Sequence, residues 1–203
     1  MVNMDQIMST YFRSETGRPL TEYEIDDAGL VNVFNNKLSL YKPTQKLPVK
    51  FGKVQTLMMF DKGLTTLEGV PNECDGIVAA KNKLTNLAHC TAKLRYLNVS
   101  NNKLTTLEGS LRSVHMLDVM FNPLKSLDGL ENMEVNEIRI HYTEQLPLLK
   151  LLVAKEIFIV KHYMQEMVQL SEILNKHAGT GKQGAIKCAA ELIKAGYKEN
   201  ARW

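Results

Sequence analysis

The strongest constraint on this chain is a repeat with a period near 20 residues in its central part. Residues 94–109 read LRYLNVSNNKLTTLEG, in which apolar residues alternate before Asn102 and recur three residues apart after it. The same frame appears 20 residues earlier around Asn82 and 20 residues later around Asn122. One such unit can bury its apolar side only against its neighbours, so the period predicts a solenoid.

The residues within one unit explain its shape. Apolar residues on both sides of Asn98 predict a short strand whose alternate side chains point inward. Asn102 predicts a turn, because a buried amide can bond free backbone groups of its own coil and of the next, which stacks the asparagines into a ladder. Glu108-Gly109 predicts a second turn, with a glycine free to adopt positive φ. This is the pattern of a leucine-rich repeat, and it predicts an α/β repeat fold with short parallel strands.

The spacing of the inward strand residues predicts about seven coils. These residues follow one another at intervals of 19 to 21: Leu38, Leu57, Ile77, Leu97, Leu117, Ile138 and Ile157. We therefore expect a leucine-rich-repeat solenoid over residues 30–160, a helical N-terminal cap over 1–29 and a two-helix C-terminal cap over 161–203.

The two caps have their own patterns. Helical spacing of apolar residues predicts a helix over residues 3–14, and alternation on both sides of the Asn-Asn pair at 35–36 predicts a β-hairpin. In the C-terminal cap we expect helices over 161–177 and 185–195, with Gly196 ending the second. The predicted inner side of the second helix consists of Ile186, Ala189, Ala190 and Ile193.

The composition is that of a soluble globular protein, with 44% hydrophobic and 23% charged residues in a chain of 203. A formal net charge of +3 is too small to indicate nucleic-acid binding by itself. Cys74, Cys90 and Cys188 show no metal-ligand spacing and predict reduced thiols. No apolar run resembles a leader or reaches the roughly 18 residues of a membrane span. We therefore expect a cytoplasmic protein without a membrane partner.

Motifs for catalysis or cofactor binding are weak. Residues 179–183, GTGKQ, suggest a phosphate loop but lack the upstream glycine and the Ser or Thr after the lysine. They predict a connection between helices, and anion binding at a helix start is the alternative. The five histidines show no HExxH motif and no catalytic grouping. We therefore expect a non-enzymatic role, with no catalytic residue, no metal and no cofactor.

Methionine and aromatic residues at outward strand positions give the predicted concave face more apolar surface than solubility requires. Such residues are enriched at protein interfaces. We predict that the partner-binding residues are Met58, Phe60, Tyr96, Met116, Asp118, Met120, Arg139, His141 and Phe158. The alternative is that the caps or self-association cover this surface.

The C-terminal segment offers a second candidate surface. Residues 176–203 hold six Lys or Arg against two Glu, a local charge of +4. A basic helix pair can contact nucleic-acid phosphates, and the residues expected to do so are Lys182, Lys187, Lys194 and Lys198. The alternative is that these lysines form the solvated back of a cap.

Three repeat segments and the C-terminal tail resemble a known group of proteins. The segments are LPVKFGKV at 47–54, GLTTLEGVP at 63–71 and NNKLTTLEG at 101–109, and the tail reads AAELIKAGYKENARW. They resemble leucine-rich-repeat proteins encoded by bacteriophages. The resemblance implies a phage product in the cytoplasm of a bacterial host that engages a host or phage protein, and it supplies no catalytic residue. The chain departs from the pattern at Lys62, which replaces the asparagine, and at Leu87-Ala88-His89, which lacks the acid-glycine turn.

Overall fold

A computed structural model of the chain shows a sheet of nine strands that follow one another in chain order. The structure describes residues 12–13, 37–40, 54–68, 70, 74–90, 93–161 and 165–203. The strands are β1 (Phe12–Arg13), β2 (Lys37–Leu40), β3 (Val54–Met58), β4 (Cys74–Val78), β5 (Lys93–Asn98), β6 (Ser113–Asp118), β7 (Glu134–His141), β8 (Glu156–Lys161) and β9 (Gln165–Glu166). The α-helices described are α1 (Val168–Lys176) and α2 (Ala185–Lys194). Short 3-10 helices cover Leu130–Asn132, Leu148–Val153, Gly181–Gln183 and Lys198–Asn200.

Strands β2 to β8 pair in parallel, each with its chain neighbour. Parallel neighbours require a connection that carries the chain back across the other side, and these arcs contribute buried leucines such as Leu104 and Leu107. The chain is therefore a parallel-strand solenoid, with about five turns described between β3 and β8. The count of seven coils stays a prediction, because residues 41–53, between β2 and β3, lie outside the described residues.

The strand register agrees with the predicted spacing. Leu97 pairs with Ile77 on one side and with Leu117 on the other. The complete row is Leu38, Leu57, Ile77, Leu97, Leu117, Ile138 and Ile157. The side chains of this row are at most 1% exposed from Leu57 onward. A slip of one residue would turn the whole row to solvent, so burial of one face holds the register.

Asn102 closes its turn as predicted. Its side-chain nitrogen donates to two carbonyl oxygens of its own coil and to that of Ala79 in the preceding coil, at 2.9–3.1 Å. Its side-chain oxygen accepts from the Leu84 amide at 2.9 Å. Asn82 and Asn122 repeat this arrangement in the neighbouring coils. The asparagine ladder is therefore present in the described turns.

The residue before each ladder position adopts a left-handed backbone in four successive coils. Its φ lies between 53° and 58° at Asp61, Lys81, Asn101 and Phe121. Asn and Asp tolerate this conformation because their short polar side chains bond locally, whereas Lys and Phe do not gain this compensation. The turn geometry is thus imposed by the stack of coils at Lys81 and Phe121.

The acid-glycine turns need glycine because the backbone of the preceding coil approaches closely, at 2.5 Å from an added Cβ at Gly129, and at Gly129 because of its φ as well. Gly129 has a φ of +98°, in agreement with the prediction. Positive φ is the wrong reason at Gly109, where an added Cβ would lie 2.3 Å from the carbonyl carbon of Leu87 in the preceding coil. His89 stands 20 residues before Gly109 and takes the left-handed conformation itself, with φ 65°.

The structure corrects the predicted N-terminal cap where it describes that region. Phe12 and Arg13 form β1, antiparallel to β2, so the helix predicted over 3–14 is wrong at these two residues. β3 occupies the other edge of β2. The rest of the predicted helix and hairpin lies outside the described residues.

The C-terminal helices are close to the predicted ranges. α1 begins at Val168 and not at 161, because Gln165–Glu166 continues the sheet as β9, antiparallel to β8. α2 covers the predicted second helix, and Gly196 follows it with a φ of 91°, as expected of a helix stop.

The predicted inner side of α2 is wrong. Ile186 is 84% exposed and Ile193 is 52% exposed, whereas Cys188 and Leu192 are buried in the core. Apolar residues recur at helical spacing on both faces of α2, so spacing alone did not distinguish the face that packs against the solenoid.

Polar side chains of the C-terminal residues bond the backbone at the end of the solenoid. The side-chain amide of Asn175 accepts from the Ile157 amide and donates to the Ile157 carbonyl, both at 2.7 Å. Asn200 donates to three carbonyl oxygens in the turn after β7, at 3.0–3.2 Å. The Asn175 contacts satisfy backbone groups of β8 that an uncovered strand edge would leave open to pairing with another chain, and the Asn200 contacts satisfy carbonyl groups of the turn.

Candidate partner-binding face

The outward strand positions form two columns that run across the sheet in register, as the spacing predicts. The first column contains Thr56, Gly76, Tyr96, Met116, Glu137 and Glu156. The second contains Met58, Val78, Asn98, Asp118, Arg139 and Phe158. Neighbouring strands lie about 4.8 Å apart, so adjacent members of a column can share one surface. These two columns are called the sheet face below.

The sheet face carries an apolar strip that is partly exposed. Its members are half-buried and lie on different strands from β3 to β8: Met58, Val78, Tyr96, Met116 and Phe158. Phe60 lies just beyond β3 and is 52% exposed, with the Lys81 Nζ atom 5.8 Å from the centre of its ring. Apolar side chains are therefore available to a partner from β3 to β6 and again on β8, with the charged residues of β7 between them.

Two predicted partner-binding residues are not available at this surface. Asp118 is 5% exposed and Met120 is 6% exposed, so the prediction that they face solvent is wrong. Asp118 folds back to accept a hydrogen bond from the Met120 amide at 3.1 Å. Met120 lies where the strand enters the turn, and the rings of Phe121 and His141 are 5.1 Å apart beside that turn. His141 itself is half-buried.

A charged group lies at the β6–β8 end of the sheet face. The Arg139 Nε atom donates to Glu137 Oε1 at 2.6 Å, and the guanidinium carbon lies 5.9 Å from the centre of the Phe158 ring. The hydrogen bond to Glu137 raises the pKa of Arg139. Burial raises the pKa of Asp118, although the Met120 amide and Arg139 oppose this shift. Arg139 is thus held in one orientation by a carboxylate and an aromatic ring.

Tyr96 is held in a similar way at the centre of the face. Its hydroxyl accepts from the Asn98 side-chain nitrogen at 3.0 Å, and the Asn98 side-chain oxygen accepts from the Ser100 amide at 2.9 Å. Asn98 occupies the position in β5 that Asp118 occupies in β6. The same backbone turn is therefore served by an amide in one coil and by a carboxylate in the next.

Glu137 belongs to this group but is missing from the residues predicted from sequence. It lies two positions before Arg139 on β7, so both side chains leave the strand on the same side. That alternation is visible in the sequence.

The four lysines predicted for nucleic-acid contact lie on the C-terminal residues beyond β8 and are exposed: Lys182, Lys187, Lys194 and Lys198. The Lys182 Nζ atom lies 5.6 Å from the centre of the Trp203 ring. Residues 179–183 connect α1 to α2 through the left-handed Gly179 and Gly181. The lysines therefore belong to a second surface, separate from the strands of the sheet face.

The three cysteines are buried free thiols. Burial raises the pKa of Cys74 and Cys188 to about 11 and that of Cys90 to about 12. In the part of the chain that is described, no three His, Cys, Asp or Glu residues are grouped as a metal site requires. No described helix combines the length and the apolar character needed to cross a bilayer.

The geometry places the protein among parallel-strand solenoids with a partly apolar sheet face and helices after the last parallel strand. No model of a known protein family matches the chain, and neither curated proteins nor solved structures provide a match. Its function is therefore inferred from its own residues.

Proposed function

We propose that this solenoid is a leucine-rich repeat of about seven coils and that its sheet face binds another protein without catalysing a reaction. The observation that carries the proposal is the apolar strip of the sheet face, which has one member on each strand from β3 to β6 and a further one, Phe158, on β8 beyond the charged residues of β7. The asparagine ladder and the buried arc leucines support the repeat class, since each coil then buries its apolar side against its neighbours.

A protein partner suits the apolar strip for a physical reason. Covering apolar surface removes it from water and contributes roughly 25 cal/mol per Å². Tyr96, Met116 and Phe158 are of the types that are enriched at protein interfaces. Contiguous exposed apolar residues on a folded surface indicate an interaction site more often than single ones do.

Arg139 is the residue we expect to contribute most among the polar ones. Its guanidinium is already oriented by Glu137 and Phe158, so little side-chain entropy is lost when a partner covers it. Glu137 and Glu156 bring two accessible carboxylates to the first column, against one guanidinium at β6–β8. We therefore propose that the partner presents a basic group beside apolar side chains.

The resemblance to phage-encoded leucine-rich-repeat proteins bears on where this partner is found. It supports a host or phage protein that is met in the cytoplasm of the infected bacterium. The proposed role is that of a binding module in that cell.

Site-specific crosslinking tests the sheet face. A photoreactive side chain replaces Met116 on the sheet face in one variant and Lys103, an exposed arc residue, in a matched control. Host lysate is irradiated with each, and the captured protein is then purified. Tyr96→Ala with Phe158→Ala should weaken its binding by about 700-fold if both residues are anchors of about 2 kcal/mol each and their effects add.

Two results would contradict the sheet-face proposal. One is equal crosslinking from position 103, and the other is unchanged affinity in the Tyr96→Ala, Phe158→Ala variant. Circular dichroism and thermal melting of that variant should match the parent, because both side chains are half-buried on the outer side of the sheet.

Nucleic-acid binding by the C-terminal lysines is the second candidate function. The observation in its favour is that Lys187, Lys194 and Lys198 are exposed and form no ion pair with another described residue. Such binding would weaken steeply as salt is raised. Lys187→Ala with Lys194→Ala would make the plot of log affinity against log salt less steep, by the amount that about two phosphate contacts contribute. A gel shift of single-stranded and duplex oligonucleotides at several salt concentrations measures this. A salt-independent complex would contradict it.

A further inference from the structure

The outer side of α2 has an exposed apolar stripe. Ile186, Ala190 and Ile193 are four and three residues apart, so they line one side of the helix. All three are exposed, and Ile186 is 84% exposed, more than any other large apolar side chain that the structure describes. The opposite side of α2 packs on the core through Cys188 and Leu192. The fold therefore does not use the stripe.

Positive charge borders this stripe along one edge. Lys187 and Lys194 are exposed, and each follows an isoleucine of the stripe by one position. Their spacing of seven residues places them on the same side of α2. Glu191, the acidic residue of α2, accepts from Lys176 at 2.9 and 3.0 Å and lies 3.0 Å from the His177 ring. Glu191 is thus engaged on the α1 side and does not neutralise the lysine edge.

Whatever covers the stripe has to be apolar and anionic at the same place. Residues 176–203 hold six Lys or Arg against two Glu, so the surroundings of α2 are also basic. An anionic bilayer meets both needs, because acyl chains take up the isoleucines and negative headgroups attract the lysines. Nucleic-acid phosphates match the lysines only.

The shape of the stripe also favours lipid over a folded protein. A stable protein interface buries about 800 Å² on each side and needs a complementary shape. Two isoleucines and one alanine expose much less area than that, and the outer side of a single helix is convex. A symmetric pair of α2 helices would also bring the lysines of two copies together, which is unfavourable. Lipids are fluid and adapt to a convex surface.

We propose that the outer side of α2 docks on an anionic lipid membrane. Ile186 and Ile193 insert between the headgroups, and Lys187 and Lys194 lie against the negative charges. A helix bound in this way lies in the plane of the interface and does not span the bilayer. The expectation of a protein without a membrane partner rested on the apolar runs, which indicate spanning segments only. This surface is separate from the sheet face, so the two proposals stand or fall independently.

Co-sedimentation with vesicles tests the docking. The full chain is mixed with vesicles of phosphatidylcholine, either alone or with roughly one third phosphatidylserine. We expect binding to the phosphatidylserine vesicles that weakens as salt is raised, and binding to phosphatidylcholine alone that is about tenfold weaker or less. Ile186→Ser with Ile193→Ser, and separately Lys187→Glu with Lys194→Glu, should each weaken the binding by about tenfold or more.

Two matched variants control for the kind of change. Ile186→Leu with Ile193→Leu keeps the apolar area of the stripe and should bind as the parent does. Lys83→Glu with Lys103→Glu makes the same charge change at two exposed arc lysines and should also leave vesicle binding close to that of the parent.

A fluorescent label tests insertion directly. An NBD group on Ile186→Cys should brighten when phosphatidylserine vesicles are added, because the label moves into a less polar environment. The same label on Lys103→Cys should not respond. The three native thiols are buried with raised pKa values, so they react little with the label.

Several results would overturn the proposal. They are absence of binding to phosphatidylserine vesicles at low salt, equal binding by the parent and the Ile186→Ser, Ile193→Ser variant, and equal brightening of the labels at 186 and 103. A fourth is binding of an oligothymidylate with the same lysine dependence while the vesicles stay unbound. That result would assign the surface to nucleic acid.

Discussion

The side-chain nitrogen of Asn102 lies 2.9 Å from the carbonyl oxygen of Ala79, a residue 23 positions earlier in the chain. The same nitrogen also donates within its own turn, and the side-chain oxygen accepts from Leu84. One side chain that is 7% exposed therefore satisfies backbone groups of two coils. Coil-to-coil adhesion in this solenoid depends on polar contacts in the turn as well as on apolar burial.

Replacement of Asn102 tests the ladder. Asn102→Leu leaves carbonyl groups and one amide without their partners in a buried turn, and each costs about 1 to 3 kcal/mol. We expect the free energy of unfolding in urea to fall by about 3 kcal/mol or more. The matched control is Asn86→Leu, where an exposed asparagine loses one hydrogen bond to Ala88. Similar melting of the two variants would contradict the ladder at this coil.

Gly109 tests the close approach of two coils. In Gly109→Ala the new methyl group meets the Leu87 carbonyl at 2.3–2.4 Å, and both partners are backbone atoms that cannot rotate away. We expect a loss of about 2 kcal/mol or more in chemical denaturation, as overpacking usually costs 1 to 3 kcal/mol. Ser110→Ala next to it should be nearly neutral. A Gly109→Ala variant as stable as the parent would show that the arcs can separate at this point.

Lys81 tests the left-handed turn. Lys81→Asn and Lys81→Val both remove the ion pair with Asp61 at 2.8 Å, so the comparison isolates the backbone effect. Asparagine accepts a φ of 58°, whereas a β-branched side chain is strained there. We expect the valine variant to be less stable than the asparagine variant by about 1 to 2 kcal/mol. Lys83→Val, in the same turn but outside the left-handed position, should show no such penalty.

Asp118 and Asp128 should respond to pH in opposite directions. Burial raises the pKa of Asp118 above its ordinary value near 3.8, so its contribution to stability is present below that value and is lost as the pH rises through the folded pKa. Asp118→Asn should therefore gain stability relative to the parent as the pH rises from about 3.8 through the folded pKa of Asp118. Asn98 shows that an amide serves the same turn.

Asp128 is the matched control for that pH dependence. The hydrogen bond from Lys150 lowers the pKa of Asp128, so its contribution is present above the ordinary value and is lost as the pH falls through the folded pKa. Asp128→Asn should lose stability relative to the parent as the pH rises from the folded pKa of Asp128 to about 3.8, and this deficit should stay constant over the higher range in which Asp118→Asn gains stability. Urea denaturation at several pH values measures both. Parallel curves for the two variants would contradict the assignment.

The sequence alone was sufficient for the rows of the solenoid. The period places Leu57, Ile77 and Leu97 in one buried row, and alternation then decides which residues of each strand face outward. Asn102 could be assigned to the turn because few side chains can bond several backbone groups at once. These features repeat from coil to coil, so several units predict the same geometry independently. A wrong assignment in one unit therefore does not shift the assignment of the others.

Only the tertiary structure decided the features that the repeat pattern does not specify. Ile186 and Leu192 lie on opposite sides of α2 and both are apolar, so the buried side depended on which one met the solenoid. Asp118 and Met120 occupy outward positions but are buried, because the strand turns there and Asp118 bonds the backbone of Met120. Phe12 and Arg13, which helical spacing assigned to a helix, pair with β2 as a strand. Spacing specifies which residues share a side of an element, whereas burial of that side depends on what packs against it from elsewhere in the chain.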